Sequence, residues 1–276
     1  MTKPNSQKIL LYAFAILIAL IYLIPFYIIA RNALMTKGEV AAFDWILWPE
    51  QAQWENITNL FNDPLAPMGT GLKNSSIIAF FQVIGQLFVT SFAAYGLARI
   101  KYRWADQVFY IILIALMVPP AAIFVQMFLV VDRLGWVSTY AGLIVPGIFN
   151  VFSVFIFRQF FLDFPRELEE AGRVDGLGYF GVFFRIVLPN SVGVFIALGT
   201  IALIKSWNSF LWPLVVGQSK DTWTVQVVLS TFLTAQTINL PALFMGAAIG
   251  ILPMILVFFF VQRYLVQGVS TTGLKG

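Results

Sequence analysis

Long intervals without a single Asp, Glu, Lys or Arg dominate this sequence, and they constrain its fold more than any other feature. A helix needs about 20 residues to cross about 30 Å of hydrocarbon. Five charge-free intervals approach or exceed that length: residues 9–30, 74–98, 107–131, 134–157 and 222–262. The last is too long for one span. Its first half is polar (Gln226, Ser230, Thr231, Thr234, Gln236, Thr237, Asn239), so the helix is placed at 241–261 and the polar half in an outside loop. A sixth apolar stretch, 191–216, is interrupted only by Lys205, Ser206, Asn208 and Ser209. The chain is therefore expected to be an all-α membrane protein, one transmembrane domain over 1–276. Its six transmembrane helices are expected near 9–30, 75–98, 107–131, 138–157, 191–216 and 241–261.

Composition supports this. Charged residues make up 11% of the chain and hydrophobic ones 59%, whereas soluble domains carry roughly 25% charged residues. There is no Cys and no His, which excludes thiolate nucleophiles, Ser/His/Asp triads, zinc sites and imidazole relays together. No metal site or directly bound cofactor is expected. The net charge of +4 forms no basic stripe, so nucleic-acid binding is not indicated.

Cytoplasmic loops carry the excess of Lys and Arg. With both termini on one side, that side holds Lys3, Lys8, Arg99, Lys101, Arg103, Arg158, Arg166, Arg173, Arg185, Arg263 and Lys275, against Arg31, Lys37, Lys73, Arg133 and Lys220 opposite. Both termini are thus expected inside, and the first apolar run reads as an uncleaved helix, not a signal peptide. The outside loop 31–73 is rich in Trp, Asn and Pro. The inside loop 158–189 holds nine charges: Arg158, Asp163, Arg166, Glu167, Glu169, Glu170, Arg173, Asp175 and Arg185.

Within the inside loop, Pro165 sits where a helix can begin, and Glu167, Glu169 and Glu170 complement its positive start. Gly176 supplies a left-handed stop. A helix is expected over 165–175. A second, over 178–188, is expected to end before Pro189 and to present Phe180, Phe183, Phe184 and Val187 as an apolar face. Ala171, Gly172 and Gly176 carry almost no side chain, so another protein's groove can approach the first helix closely.

Those residues resemble a known pattern. Glu170-Ala171-Gly172, then Gly176, then Ile186-Val187-Leu188-Pro189 resembles the EAA signature of ABC importer permeases, with Gly172 in place of the second alanine. The resemblance runs along most of the chain and is closest to the carbohydrate branch, permeases similar to the second membrane subunit of maltose-type importers. It rests further on Asn74 to Ala79, Ala94 to Arg99, Pro119-Pro120, Trp207 to Leu214 and the tail Gly268 to Gly276. It implies a type I importer permease fold and a heteromeric assembly in a bacterial cytoplasmic membrane. The partners would be a second permease subunit, a dimer of ATP-binding cassette ATPase subunits and an extracytoplasmic solute-binding protein. This chain has no phosphate loop, so ATP and Mg²⁺ belong to the partner and this subunit is not itself an enzyme. Glu170, Ala171, Gly172, Asp175, Gly176, Ile186, Leu188 and Pro189 would couple it to the ATPase.

Lys205 is the only charge within an expected span. It lies about 22 Å above Asn190 along a helix and either snorkels to the outer surface or lines the path. Pro119 and Pro120 free carbonyls that only a protein or water cavity satisfies, so they are expected, with Trp207 and Asn208, to border the translocation pathway, Trp207 stacking on a sugar ring. Gly246 and Gly250 form a GxxxG pair that packs within the chain or on a partner. Asn56 and Asn74 head glycosylation-like triplets to which no function is assigned. The solute is expected to be a sugar or oligosaccharide, with glycerol 3-phosphate as the alternative. An ion-driven secondary transporter is disfavoured because no Asp or Glu lies within a span.

Overall fold

The computed structural model of the chain describes residues 6–42, 44–233 and 238–272, with side chains for 7–263 among them. Lys3, the polar residues Thr234, Gln236 and Thr237, and the tail end at 273–276 lie outside the described residues. In chain order the helices are α1 (Ser6–Ala33), α2 (Lys37–Ala41), α3 (Glu55–Asn62), α4 (Met68–Arg99), α5 (Ala105–Ile114), α6 (Pro120–Arg133), α7 (Tyr140–Ile144), α8 (Val151–Asp163), α9 (Arg166–Val174), α10 (Tyr179–Val182), α11 (Leu188–Asn190), α12 (Val192–Trp207), α13 (Leu211–Val216), α14 (Val225–Thr231) and α15 (Leu240–Thr272). Among the described residues extended pairing is limited to an isolated bridge, Leu233 to Ile238.

Helices α1, α4 and α15 are each long and apolar enough to cross a membrane unbroken. Three further spans exist if each of three bent helix pairs counts as one, giving at least three and up to six. Pro119-Pro120 is the one break that the sequence led us to expect; the other two bends were not expected, and each has a local cause. Between α5 and α6 the axis turns by 102°. Val118 precedes Pro119 and Pro119 precedes Pro120, so both are driven out of the helical region: Val118 has ψ 116° and Pro119 has ψ 134°. Pro120 then starts the next helix, where its missing N–H costs nothing. The 44° bend before α8 sits at Pro146-Gly147, and the restart is capped by Asn150, whose Oδ1 accepts from the Ser153 N–H at 2.9 Å. This helix continues to Asp163, past the expected loop boundary at 158.

The expected span 191–216 also breaks. α12 stops at Trp207 and α13 resumes at Leu211, while Tyr179–Asn190 meets α12 at 81°. The second loop helix does not end before Pro189. It widens into a π turn over Phe183–Val187 and runs through the proline to Asn190. A wide turn moves carbonyls away from the proline ring, and the carbonyls of Ile186 and Val187 are taken instead by Asn190 Nδ2 (2.7 Å) and Ser191 Oγ (2.6 Å).

The chain packs as two units, residues 1–69 with 228–253, and 70–227 with 254–276. In the first unit, Arg31 is buried. Its guanidinium donates to Asn32 Oδ1 and to the Ile46 carbonyl and lies 4.5 Å from the Trp45 ring centroid. Asn56 Nδ2 donates to the carbonyls of Ala33 (2.9 Å) and Met35 (3.2 Å), tying α3 to the end of α1. A Cβ on Gly246 would lie 2.6 Å from Leu229, so this glycine admits a neighbour of its own chain.

In the second unit, α4, α8 and the π turn surround an aromatic core of Tyr95, Phe157, Phe161 and Phe183, with Val154, Val182 and Val187 fully buried. Asn74 and Ser75 are also buried. Asn74 donates to the carbonyls of Asp221 and Trp223 at 2.8 Å, accepts from Tyr140 Oη at 2.6 Å, and Ser75 accepts from the Val225 N–H. The Asn-Ser-Ser block at this helix is therefore a clasp for the 219–225 loop.

Candidate functional site

α9 is built as its sequence directs. Pro165 precedes its first turn, Glu167 and Glu169 occupy that turn, Arg173 the last, and Gly176 adopts φ +84°. There the chain reverses: the Leu177 N–H returns to the Gly172 carbonyl at 2.9 Å and the Gly176 N–H to Arg173 at 3.0 Å. Only glycine enters that left-handed region without steric cost.

The face that α9 buries was not expected. Glu169 is 3% exposed and its Oε1 lies 2.7 Å from Nε of Arg99, the last residue of α4; both side chains are 4% exposed. Tyr95 Oη donates to Glu169 Oε2 at 3.2 Å, and Arg99 also donates to the Phe164 carbonyl just before α9. Gly172 faces inward too. A Cβ there would lie 2.3 Å from Ile186 Cδ1, so the glycine standing where the signature has alanine makes room inside this chain and offers nothing to a partner. Glu170, Ala171, Asp175 and Gly176 remain exposed on the opposite side. Arg173 packs 4.8 Å from the Tyr179 ring centroid, linking α9 to the next helix.

Of the apolar face expected on that next helix, Phe183 and Val187 enter the core, whereas Phe180 and Phe184 are exposed, 70% and 46%. Ile186 and Leu188 are half-buried and Pro189 is exposed. Arg99, Tyr95 and Glu169 were missed as a unit, although Tyr95 and Arg99 lie four apart at a helix end and Glu169 and Gly172 three apart, spacings that put each pair on one face.

The expected pathway residues separate. Trp207 is 5% exposed in the chain, so it presents almost no surface on which a sugar could stack. Asn208 is exposed and its Nδ2 closes α12 by donating to the Ile204 carbonyl at 3.0 Å. Lys205 is exposed on the last turn of α12, and Pro119 and Pro120 are exposed at the 102° bend.

Residues 86–271, including all of α9 and the π turn, match the family model of the binding-protein-dependent transport system inner membrane component. The chain belongs to this family. It is 33% identical over 274 residues to the arabinooligosaccharides transport system permease protein AraQ of Bacillus subtilis, covering 99% of this chain and 97% of that protein. It is 35% identical over 217 residues to the lactose transport system permease protein LacG of Rhizobium radiobacter, 79% of each chain. Identity to the sn-glycerol-3-phosphate transport system permease protein UgpE of Yersinia enterocolitica is 28%, over 90% of this chain and 91% of that protein. In fold it is similar to a subunit in the crystal structure of a bacterial ABC transporter involved in the import of the acidic polysaccharide alginate, with TM-score 0.81, 20% identity and coverage of 96% and 99%. As an inner membrane component of a transport system, this family member uses its loop to join helices of its own before it offers any surface to a partner.

Proposed function

We propose that this chain is a permease subunit of an ATP-driven importer that carries a sugar or oligosaccharide into the cytoplasm, pairing with a second permease, an ATPase dimer and an extracytoplasmic solute-binding protein. Both termini lie in the cytoplasm in this reading. ATP and Mg²⁺ are held by the ATPase, and this subunit performs no chemistry of its own.

The observation that carries the reading is the one-sided anchoring of α9. Glu169 and Gly172 fix it to α4 and to the π turn, while Glu170, Ala171, Asp175 and Gly176 stay exposed for the ATPase. A helix held by a buried ion pair moves with the helix that holds it. Closure of the ATPase dimer displaces α9, and Arg99 and Ile186 pass that displacement to α4 and to the helix ending at Pro189, so access alternates between the two sides. Ile186, Leu188 and Pro189 thus act on the transmitting side of the joint.

The test is purification of the tagged chain from its host, with co-purifying subunits identified by mass and ATP hydrolysis assayed. A second permease and an ATPase are expected, and Glu170→Ala with Gly176→Val is expected to release the ATPase. A chain that purifies alone without ATPase activity removes the reading. Exposed Lys205 supports a second solute class, glycerol 3-phosphate or a related anion. Lys205→Met then lowers uptake of the anion and spares a neutral sugar.

A further inference from the structure

We propose that the first unit carries a binding site for an uncharged carbohydrate, formed by one face of α3 and the start of α15 and separate from any site within the spans. α3 has the sequence ENITNLFN, with Asn56, Asn59 and Asn62 three residues apart. At that spacing their side chains share one face. Asparagine is among the weaker helix formers, so three in an eight-residue helix disfavour the helix unless the amides serve a purpose. Their face opens on a cavity of about 470 Å³, inside the range of roughly 300–1,000 Å³ typical of small-molecule sites.

The walls divide into two kinds. Pro64 and Ala242 supply apolar surface, with Met35, Leu60 and Pro241 bordering the cavity as buried side chains, and Gln53, the three asparagines of α3 and Asn239 supply amides. A sugar ring has the same division: a C–H face that packs on apolar atoms and hydroxyls that both donate and accept. An amide offers a donor and an acceptor side by side and meets that need. Asn56 uses its Nδ2 on the Ala33 and Met35 carbonyls, leaving its carbonyl oxygen to offer. Asn59 and Asn62 are exposed, and among the described residues their side chains make no hydrogen bond. Lys37 and Asp63 place one charge of each sign on the wall, so the site does not select for an anion.

The proposal concerns a site and does not rest on the transport reading above. The test uses the full chain within the purified complex in lipid nanodiscs, with saturation-transfer NMR for lactose and for arabinotriose. Wild type is expected to show saturation transfer to at least one of them. Asn59→Ala with Asn62→Ala is expected to weaken it roughly tenfold or more, the loss of about two neutral hydrogen bonds. Alanine favours the helix, so loss of folding is not the expected outcome, and unchanged elution and circular dichroism verify this; Asn62→Asp serves as a second, size-preserving variant. Thr58→Ala, on α3 but outside the cavity lining, is expected to leave the signal unchanged. Absence of saturation transfer in wild type, or equal transfer in the double variant, overturns the proposal. So does stronger binding of glycerol 3-phosphate, or a double variant that loses only affinity for the solute-binding protein, which would mark the face as a protein contact. Loss of ATP-driven uptake in all forms with this binding intact sinks the transport reading alone.

Discussion

Single residues decide whether α9 acts as part of α4. The Arg99–Glu169 pair is buried, and removing one partner leaves an uncompensated charge at a cost of about 3–5 kcal/mol. Glu169→Gln is expected to lower the thermal stability of the complex and to uncouple ATP hydrolysis from uptake, whereas Glu170→Gln, one residue on and exposed, leaves stability unchanged. Gly172→Ala sets two effects against each other. Alanine improves the helix by about 1 kcal/mol, but the new methyl overlaps Ile186 Cδ1, and overpacking costs about 1–3 kcal/mol. A net loss is expected, and adding Ile186→Val, which removes that Cδ1, restores part of it in a melting experiment. In the first unit, the Glu39 carboxylate is held below its ordinary pKa, chiefly by the Thr36 backbone N–H and then by its hydroxyl. A depressed folded-state pKa gives stability that is present above the unfolded value and lost as pH falls through the folded one. The protection of the Lys37–Ala41 amides relative to their intrinsic exchange rate at each pH should therefore fall on acidification in wild type and lose that dependence in Glu39→Gln. The docking motif could be read as letters, but whether a letter faces out or in could not. Gly172 was taken for a partner-facing group and Glu169 only for part of the acidic helix start, because local spacing says which residues share a face and not which face another helix covers.

At the scale of elements, the five charge-free intervals overlap the three unbroken apolar helices and two of the bent pairs, and their length alone does not locate the breaks. Hydropathy does not register a change of direction, whereas backbone chemistry does: Pro119-Pro120 and Pro146-Gly147 mark two of the three bends. The third, beside Pro189, was misjudged because a proline was taken to end a helix that instead widens around it. Replacing Pro119 and Pro120 by alanine is expected to straighten the α5–α6 pair. The absence of cysteine allows spin labels at Ile111→Cys and Val125→Cys only, and the label separation should lengthen in the double variant. Gly246 packs against Leu229, so Gly246→Val is expected to cost about 1–3 kcal/mol by overpacking, read as a lower melting temperature without a change in the subunits that co-purify. The asparagines of α3 recur at intervals of three in the sequence, but that spacing alone does not show that a cavity opens beside them.

For the whole molecule, the most telling feature is how little of α1 the chain covers. The apolar window of this helix is 0% buried, with Leu10, Leu11, Tyr12 and Tyr22 all more than 60% exposed. A helix apolar on every side must be surrounded by lipid or by another subunit. Expressed without its partners the chain should be degraded several-fold faster than in the assembled complex, a difference that pulse-chase labelling measures. The family was legible because the EAA-like spacing and several further blocks fall in order along a chain of apolar segments. Which sugar is carried was not, since that choice depends on side chains whose exposure emerges only after packing, as Trp207 and Lys205 show in opposite senses.

The π turn at Phe183–Val187 has a consequence for chain length. Each residue of an α-helix advances the azimuth by about 100°, and a π turn absorbs one residue beyond that count. Everything before it, α9 included, is thereby out of phase with Pro189 and α12 by one residue. Deleting a single residue within Phe183–Val187 would not shorten the loop so much as turn it on its axis, carrying the exposed edge of α9 away from the position in which the proposed ATPase would meet it. The interval between Gly176 and Pro189 is in this sense a dial setting, and its length is under tighter constraint than the identity of most residues within it.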